Sequence, residues 1–552
     1  MGAPKTYEIL AEAFLQEGVE TCFALLGDAN MNWATRMAER GCRMIYTRHE
    51  HCAVSAAMSF ARARNEIGVA TVTCGPGLTQ VLTALPAAVR ASIPLVIFAG
   101  EAPLKANWYN QAIDQAPFVT ATGAAYHSLH HPERMPLQIR DAFLQAARES
   151  RPVVLGIPFD LQNRPWDGAT DLPEPAHKIA PILAPVPPNG DDIARAADRI
   201  GQAERVVIMA GRGAYLAGAA AACRALAERC DGLLSTTLPA RGLFHDDPFN
   251  IGIAGGFSTE TARDCFAQAD LVVAVGCSLA AHNSDSGKLF PNAHVIQIDL
   301  HPAAVSQGRH SAHSHVRADA RLGVEALLEQ VPARPPQQRS DALAEKIRSA
   351  PADSTGFQIT PGLLDPRAVV AALEDNLPAD WEMVNSSGHC SYFFAQMPSR
   401  PVEKFHTIRE FGAIGNGISY AMGVAAARPD QTVVLFDGDG SLLMHVQELE
   451  TIIRHGMNIL ICVLNDGAYG SEIHKLRADG LSDAGAVFGR SDLASIARGF
   501  GAAGARITDL ATLPDQIAAF QDTGGAAIWD FQVCDQVASP VIRRAHPPKP
   551  IS

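Results

Sequence analysis

The 552-residue sequence has no run approaching the roughly 20 apolar residues a membrane helix needs, and no basic-then-apolar segment precedes the helix-like stretch Tyr7 to Leu15. A membrane span is excluded, and residence in the cytoplasm is the expectation. Basic runs and aromatic-basic stripes are also missing: 45 Lys and Arg stand against 58 Asp and Glu, a net charge of -13, which removes the electrostatic footprint of a nucleic-acid binder. The 11 cysteines include no C-x-x-C pair, are odd in number and mostly sit among apolar neighbours, so no disulfide framework is expected and a reducing compartment fits. Aromatics make up only 6% and charged residues 19%, while 47% is apolar and rich in Ala and Val, the balance of a globular α/β protein.

At roughly 100 to 200 residues per domain, the length predicts about three domains. Residues 164–191, with Leu172-Pro173-Glu174-Pro175 and Pro185-Val186-Pro187-Pro188, and residues 333–362 lack periodic apolar pattern and read as linkers. They separate blocks at 1–163, 192–332 and 363–535, with a tail at 536–552. Each block alternates Ala-rich amphipathic stretches with continuous apolar runs: Gly68 to Thr73, Leu95 to Ala99, Val206 to Ala210, Leu271 to Val275, Val433 to Phe436. Such runs belong to strands buried on both faces of a parallel sheet, so the predicted fold class is α/β, three doubly wound parallel-sheet domains. The first and last blocks share a strand-loop-helix style that suggests one fold used twice.

The chemistry concentrates after two of these runs. Asp437-Gly438-Asp439-Gly440-Ser441 follows Phe436 and leads into a predicted helix from Leu442 to His455; a second run, Asn458 to Leu464, ends in Asn465-Asp466-Gly467-Ala468-Tyr469-Gly470. Both loops lie at carboxyl ends of strands, where open α/β sheets bind ligands. Gly438 and Gly440 let backbone approach a phosphate, and amides after Ser441 point at the anion. Mg²⁺ wants six oxygens, and two from a diphosphate, the carboxylates of Asp439 and Asp466, a carbonyl near Ala468 and a water complete the set. Either motif alone is a plain turn. The 27 positions between the two acids span one helix and one strand and return the chain to the same edge.

In these residues the chain resembles the thiamine-diphosphate-dependent enzymes: acetolactate synthases, pyruvate oxidases, 2-oxo acid decarboxylases and benzaldehyde lyase. The family signature is Gly-Asp-Gly followed by Asn-Asn; here Asp466 replaces the second Asn, adding a negative charge beside the ion. The resemblance implies thiamine diphosphate and Mg²⁺ as cofactors, with Asp439, Asp466 and the carbonyl of Ala468 as metal ligands and Tyr469 beside the cofactor. In Glu410-Phe411-Gly412-Ala413-Ile414-Gly415, it implies that Ile414 is the wedge between the cofactor rings and that the Gly412 carbonyl accepts from the 4'-amino group. Ser387-Gly388-His389-Cys390 resembles the loop wrapping the diphosphate, with His389 donating to phosphate.

Thr47-Arg48-His49-Glu50-His51, followed by Gly75-Pro76-Gly77, matches the family's activating motif. It implies that Glu50 bonds the aminopyrimidine and works as acid and base so that the 4'-nitrogen removes the C2 proton; His49 and His51 read as structural. The first block would then bind the pyrimidine, the last the diphosphate, with a Rossmann-like block between, and a homodimer as the smallest active unit, a homotetramer being common in the family.

For the substrate, Asp28 in Gly27-Asp28-Ala29-Asn30 and Glu472 match acids of the decarboxylases, favouring proton relay after CO₂ leaves. The paired histidines of those enzymes are missing; Gln115 matches the pocket Gln of acetolactate synthases and benzaldehyde lyase, favouring carboligation. Trp108 and Tyr109 are candidate pocket walls, and His127, His130 and His131 read as surface groups. The expected activity is that of a 2-oxo acid decarboxylase or carboligase of acetolactate-synthase type, acting through a C2 ylide and enamine; a flavin-linked oxidase, diketone hydrolase or acyloin lyase is the alternative. Gly211-Arg212-Gly213 follows a strand, but position 216 is Leu where a dinucleotide fingerprint needs Gly, so FAD is not supported. Residues 471–489 and the tail from Ser539 are candidate lids.

Overall fold

Every apolar run named above is a strand within a parallel sheet. The computed structural model describes residues 3–168, 170–301 and 312–547. The first sheet holds β1 (Thr21–Ala24), β2 (Arg43–Tyr46), β3 (Gly68–Val72), β4 (Leu95–Glu101), β5 (Ala125–Ser128) and β6 (Pro152–Pro158) in the order β2-β1-β3-β4-β6-β5. The central sheet holds β7 (Val206–Ala210), β8 (Leu233–Thr236), β9 (Asn250–Ile253), β10 (Leu271–Val275), β11 (His294–Asp299) and β12 (Ser314–Arg317), ordered β12-β11-β10-β7-β8-β9. The third holds β13 (Glu382–Asn385), β14 (Phe405–Thr407), β15 (Val433–Gly438), β16 (Ile459–Asn465), β17 (Ala503–Ile507) and β18 (Ala526–Gln532), ordered β14-β13-β15-β16-β18-β17. First and third sheets share one strand order, whereas the central one has the order of dinucleotide-binding folds.

The outer two domains meet through a pair of buried helices. Glu50–Arg64 is built largely of Ala, Ser and Cys, and all eleven residues of Gly417–Ala427 are buried, as expected of a helix apolar all round. Small residues allow close approach: a Cβ at Gly423 would overlap the Ala56 carbonyl, and Ser59 Oγ donates to Tyr420 O at 2.8 Å. The contact holds the start of the first helix beside Asn416, whose Oδ1 lies 2.6 Å from His51 Nε2.

Three expectations need correction. The stretch Leu442 to His455 is two short helices, Asp439–Leu442 and Glu448–Arg454, not one. The intervening turn lets the His445 ring meet the Gly415 carbonyl (Nδ1 to O 2.9 Å) and brings the Glu448 carboxylate under the Arg48 amide at 3.0 Å. The two segments read as linkers contain helices at Ala176–Ile179 and Asp341–Ser349, the latter capped by Ser340, with Leu343 and Ile347 packed on the central core. The first helix of the central domain already starts at Gly190. The tail, as far as it is described, is anchored beside the His389 loop rather than poised to close: Ser539 N donates to His389 Nε2 at 2.9 Å, Arg543 pairs with Asp353 at 2.8 Å, and Arg544 donates to the Gly256 carbonyl at 2.6 Å. Its last five residues, 548–552, lie outside the described residues.

Candidate active site

In the third sheet, β13 and β15 flank the topological switch point, and their following loops face each other. Asp439 is buried; its Oδ1 accepts from Gly440 N and its Oδ2 from Gly467 N, both at 2.9 Å, which ties the β15 loop to the β16 loop. Asp466, the residue after β16, accepts from Ala468 N at 3.2 Å. Burial, then the Asp466 charge, pushes Asp439 up to about 8, and burial pushes Asp466 up to about 7. Two crowded carboxylates of this kind favour ionisation only beside a cation. Among the described residues no three His, Cys, Asp or Glu side chains gather as a complete metal cluster. The oxygen-only pair therefore fits Mg²⁺ when a diphosphate supplies further oxygens. The hairpin that closes over this loop uses the carbonyls of Gly467 and Ala486, not that of Ala468.

The predicted cradle converges on the same point. Ser441 Oγ accepts from Gly415 N at 2.9 Å and lies 3.2 Å from Ser386 Oγ. A Cβ at Gly438 would meet Cys390 Sγ at 3.4 Å, one at Gly388 would meet Ile414 Cγ2 at 3.6 Å, and one at Gly440 would press on the Tyr469 ring at 2.8 Å. Gly412, in the left-handed region with φ +74°, is exposed and has open space around it. Gly388, Cys390, Ile414, Gly438, Gly440, Ser441 and Tyr469 are thus brought together. His389 enters differently: its Nε2 accepts from Ser539 N at 2.9 Å, and burial holds it well below the usual imidazole range. It is a neutral ring with only Nδ1–H left to offer. Asp437, which the motif reading passed over, is buried with Oδ2 unpartnered and is pushed by burial up to about 7.

In the first domain Glu50 opens its helix, where the dipole favours ionisation, yet burial outweighs this and raises its carboxyl. Its Oε1 is 3.4 Å from the position of a Cβ on Gly77, so the Gly75–Gly77 turn lies against it. On either side of it, His49 and His51 pack edge-on and stacked on His445, and His51 Nε2 is 2.6 Å from Asn416 Oδ1.

Residues 4–118 match the thiamine pyrophosphate enzyme N-terminal TPP binding domain, 193–327 the central domain, and 386–531 the C-terminal TPP binding domain. The chain belongs to the thiamine pyrophosphate enzyme family. It is similar to the acetolactate synthase large subunit of Parasynechococcus marenigrum, 29% identical over 94% of this chain and 86% of that relative. The large subunit of acetolactate synthase isozyme 2 from Escherichia coli is 29% identical over 84% and 83%. A probable 2-ketoarginine decarboxylase of Pseudomonas aeruginosa is 29% identical over 94% and 92%. The protein is a thiamine-diphosphate-dependent enzyme of acetolactate-synthase-like type.

Among the remaining site expectations for this family member, Gln115 requires correction. It is buried, its Oε1 accepts from Gly75 N at 2.9 Å, and its Nε2 donates to Gly100 O and to Tyr126 Oη, each at 3.0 Å. The amide is committed to the turn and has no free donor for a substrate. The side chain beside the turn is instead Gln111, whose Oε1 takes Cys74 Sγ at 3.5 Å and Tyr109 Oη at 3.4 Å. Asp28 is exposed, 3.5 Å from Tyr109 Oη; Glu472 is exposed, 3.3 Å from Lys475. Trp108 is 80% exposed. The segment 471–489 folds back on the Asp466 loop through Tyr469 N to Ala486 O and Phe488 N to Gly467 O, pinned by Arg477 to Asp483 and Asp535.

At the carboxyl ends of the central strands, Gly211 N donates to Val275 O, Gly213 N to Gly276 O and Gly276 N to Ile298 O, at 2.8–3.0 Å. The amides a dinucleotide diphosphate would use are already bonded.

Proposed function

We propose that the protein is a 2-oxo acid decarboxylase and carboligase that works with thiamine diphosphate and Mg²⁺ as a homodimer or homotetramer. The observation that carries the reading is the Asp439–Asp466 pair beside Gly440 and Ser441, on a chain that also holds a half-buried Glu50 against a Gly-Pro-Gly turn. Asp439, Asp466 and the Ala468 carbonyl hold the ion; Ser441 and the Gly388 and Gly438 backbones cradle the diphosphate; Ile414 and Gly412 shape the rings. When bound, thiamine diphosphate would supply a nucleophilic carbon and a cationic ring able to take up the electron pair released as CO₂ leaves. Glu50, with its carboxyl raised by burial, exchanges a proton with the pyrimidine side. In this reading Asp28, Tyr109 and Gln111, linked through Tyr109 Oη at 3.5 and 3.4 Å, handle a carbonyl substrate and its protons.

A second copy is favoured by exposed apolar residues on both half-sites: Leu26, Phe411, Met444, Tyr469 and Phe488 are each at least 37% exposed. A cytoplasmic setting accords with 11 scattered cysteines that include no C-x-x-C pair. Among the described residues no helix is long and apolar enough to cross a membrane.

The test is a panel of 2-oxo acids, alone and with acceptor aldehydes, with CO₂ and products followed by mass spectrometry. CO₂ with an acyloin or 2-hydroxy-3-oxo-acid product is the expected result. Silence across the panel with cofactor bound overturns it and directs the search to diketones and acyloin cleavage. Because the central amides are internally bonded, the purified protein is expected to show no flavin absorbance; a yellow protein would favour the oxidase reading.

A further inference from the structure

A chain of side chains outside the cofactor motifs ends on the turn that touches Glu50. Gly75, with φ +57°, donates its amide to Gln115 Oε1 at 2.9 Å. Gln115 Nε2 donates to Tyr126 Oη at 3.0 Å, and Tyr126 Oη in turn donates to Glu101 Oε1. Glu101, the last residue of β4, also accepts from Ser128 Oγ at 3.1 Å and faces His130 Nε2 at 2.8 Å. The tyrosine oxygen therefore accepts on one side and donates on the other, which sets the polarity of the whole chain. Burial and the Glu101 carboxylate raise the phenol above its usual range, so it stays an O–H donor. The packing leaves no slack, since a Cβ at Gly156 would overlap both Tyr126 Oη and Glu101 Oε1. At the inner end, Gly75 is backed by the Gln111 carbonyl, and Gly77 lies against Glu50 Oε1.

We infer that Tyr126 and Glu101 are positioning residues for Glu50: through Gln115 they fix the Gly75–Gly77 turn that holds the carboxyl at the cofactor's pyrimidine. This inference rests on the proposed function. None of these groups needs to touch substrate. Removing the phenol oxygen leaves one Gln115 N–H without an acceptor and loosens the amide, then held only by Gly75 N and Gly100 O, so that the turn can relax away from Glu50. An acceptor at position 101 is required, not a charge, because Tyr126 presents a neutral O–H.

The test is hydrogen-deuterium exchange at C2 of thiamine diphosphate bound to the full protein with Mg²⁺, read by NMR in quenched samples without substrate, beside calorimetric cofactor affinity and thermal unfolding. Tyr126→Phe is expected to slow exchange at least about tenfold, a part of the roughly hundredfold that a 1 Å misplacement can cost, while affinity stays near wild type. Glu101→Leu is expected to behave likewise and Glu101→Gln to rescue exchange, which a purely structural role would not predict and which holds even if Tyr126→Phe fails to fold. Unchanged exchange in folded Tyr126→Phe or Glu101→Leu, or a Glu101→Gln as slow as Glu101→Leu, overturns the inference alone. Wild-type exchange no faster than that of free cofactor overturns the proposed function, and this inference with it.

Discussion

Glu50→Gln is expected to lower turnover by about a hundredfold to ten-thousandfold, the range associated with one general acid-base group, while thermal stability and cofactor affinity change little. The argument is local. The carboxyl is half-buried, its protonated form is favoured by burial, and its nearest wall is the Gly75–Gly77 turn. The amide has the same shape and keeps one donor and one acceptor, so packing against Gly77 survives while proton exchange does not. Steady-state rates with the best 2-oxo acid of the panel, beside calorimetric cofactor binding, check this. Wild-type turnover in the variant would remove Glu50 from the chemistry, and with it the activating role carried over from the family motif. Loss of binding together with activity would assign the residue to holding the cofactor.

What the sequence revealed and concealed follows from the range over which each feature is determined. Strands such as Val206–Ala210 and Leu271–Val275 coincide with their apolar runs because burial on both faces acts on every residue of the run. The loop acids were legible because they adjoin strand ends, where topology alone returns them to one edge. The helix break at residues 443–447 was not, because it is imposed by partners about 30 and 400 positions away, Gly415 and Arg48. Gln115 was assigned to the pocket by family resemblance, which carries its position but not its orientation: the direction of its amide is decided by Gly75, Gly100 and Tyr126. Tyr126 and Glu101 carried no local signal at all. Asp437 did, as the first acid of Asp-Gly-Asp, and a reading that weighed both acids of that motif would have found it.

Metal dependence should appear in stability before it appears in rate. Without metal, Asp439 and Asp466 have folded-state values of about 8 and about 7, above the ordinary carboxylate range of the unfolded chain. Between the two limits the folded state binds more protons than the unfolded one, so stability falls as pH rises and levels off once both groups ionise. Below about pH 6.5, the ordinary histidine value, the trend is masked: burial holds His51 and His474 down to about 4, and such groups make stability rise with pH over that lower range. Between pH 6.5 and 8 the fall dominates, with Asp437 and Glu17, each pushed by burial up to about 7, adding to it, and each raised carboxylate changes the unfolding free energy by up to about 1.4 kcal/mol per pH unit. In chelator, the unfolding temperature is expected to fall across this window; with Mg²⁺ and thiamine diphosphate it should rise overall and lose the part of that slope due to Asp439 and Asp466, because the cation favours the ionised pair, while the part due to Glu17 stays. Asp439→Asn removes one of the two charges the ion needs and should weaken Mg²⁺-dependent cofactor retention by more than the roughly 10–100-fold typical of outer-shell changes, while flattening the metal-free pH slope. A slope identical in chelator and in Mg²⁺, with cofactor bound, would mean that the Asp439–Asp466 pair is not where the ion sits.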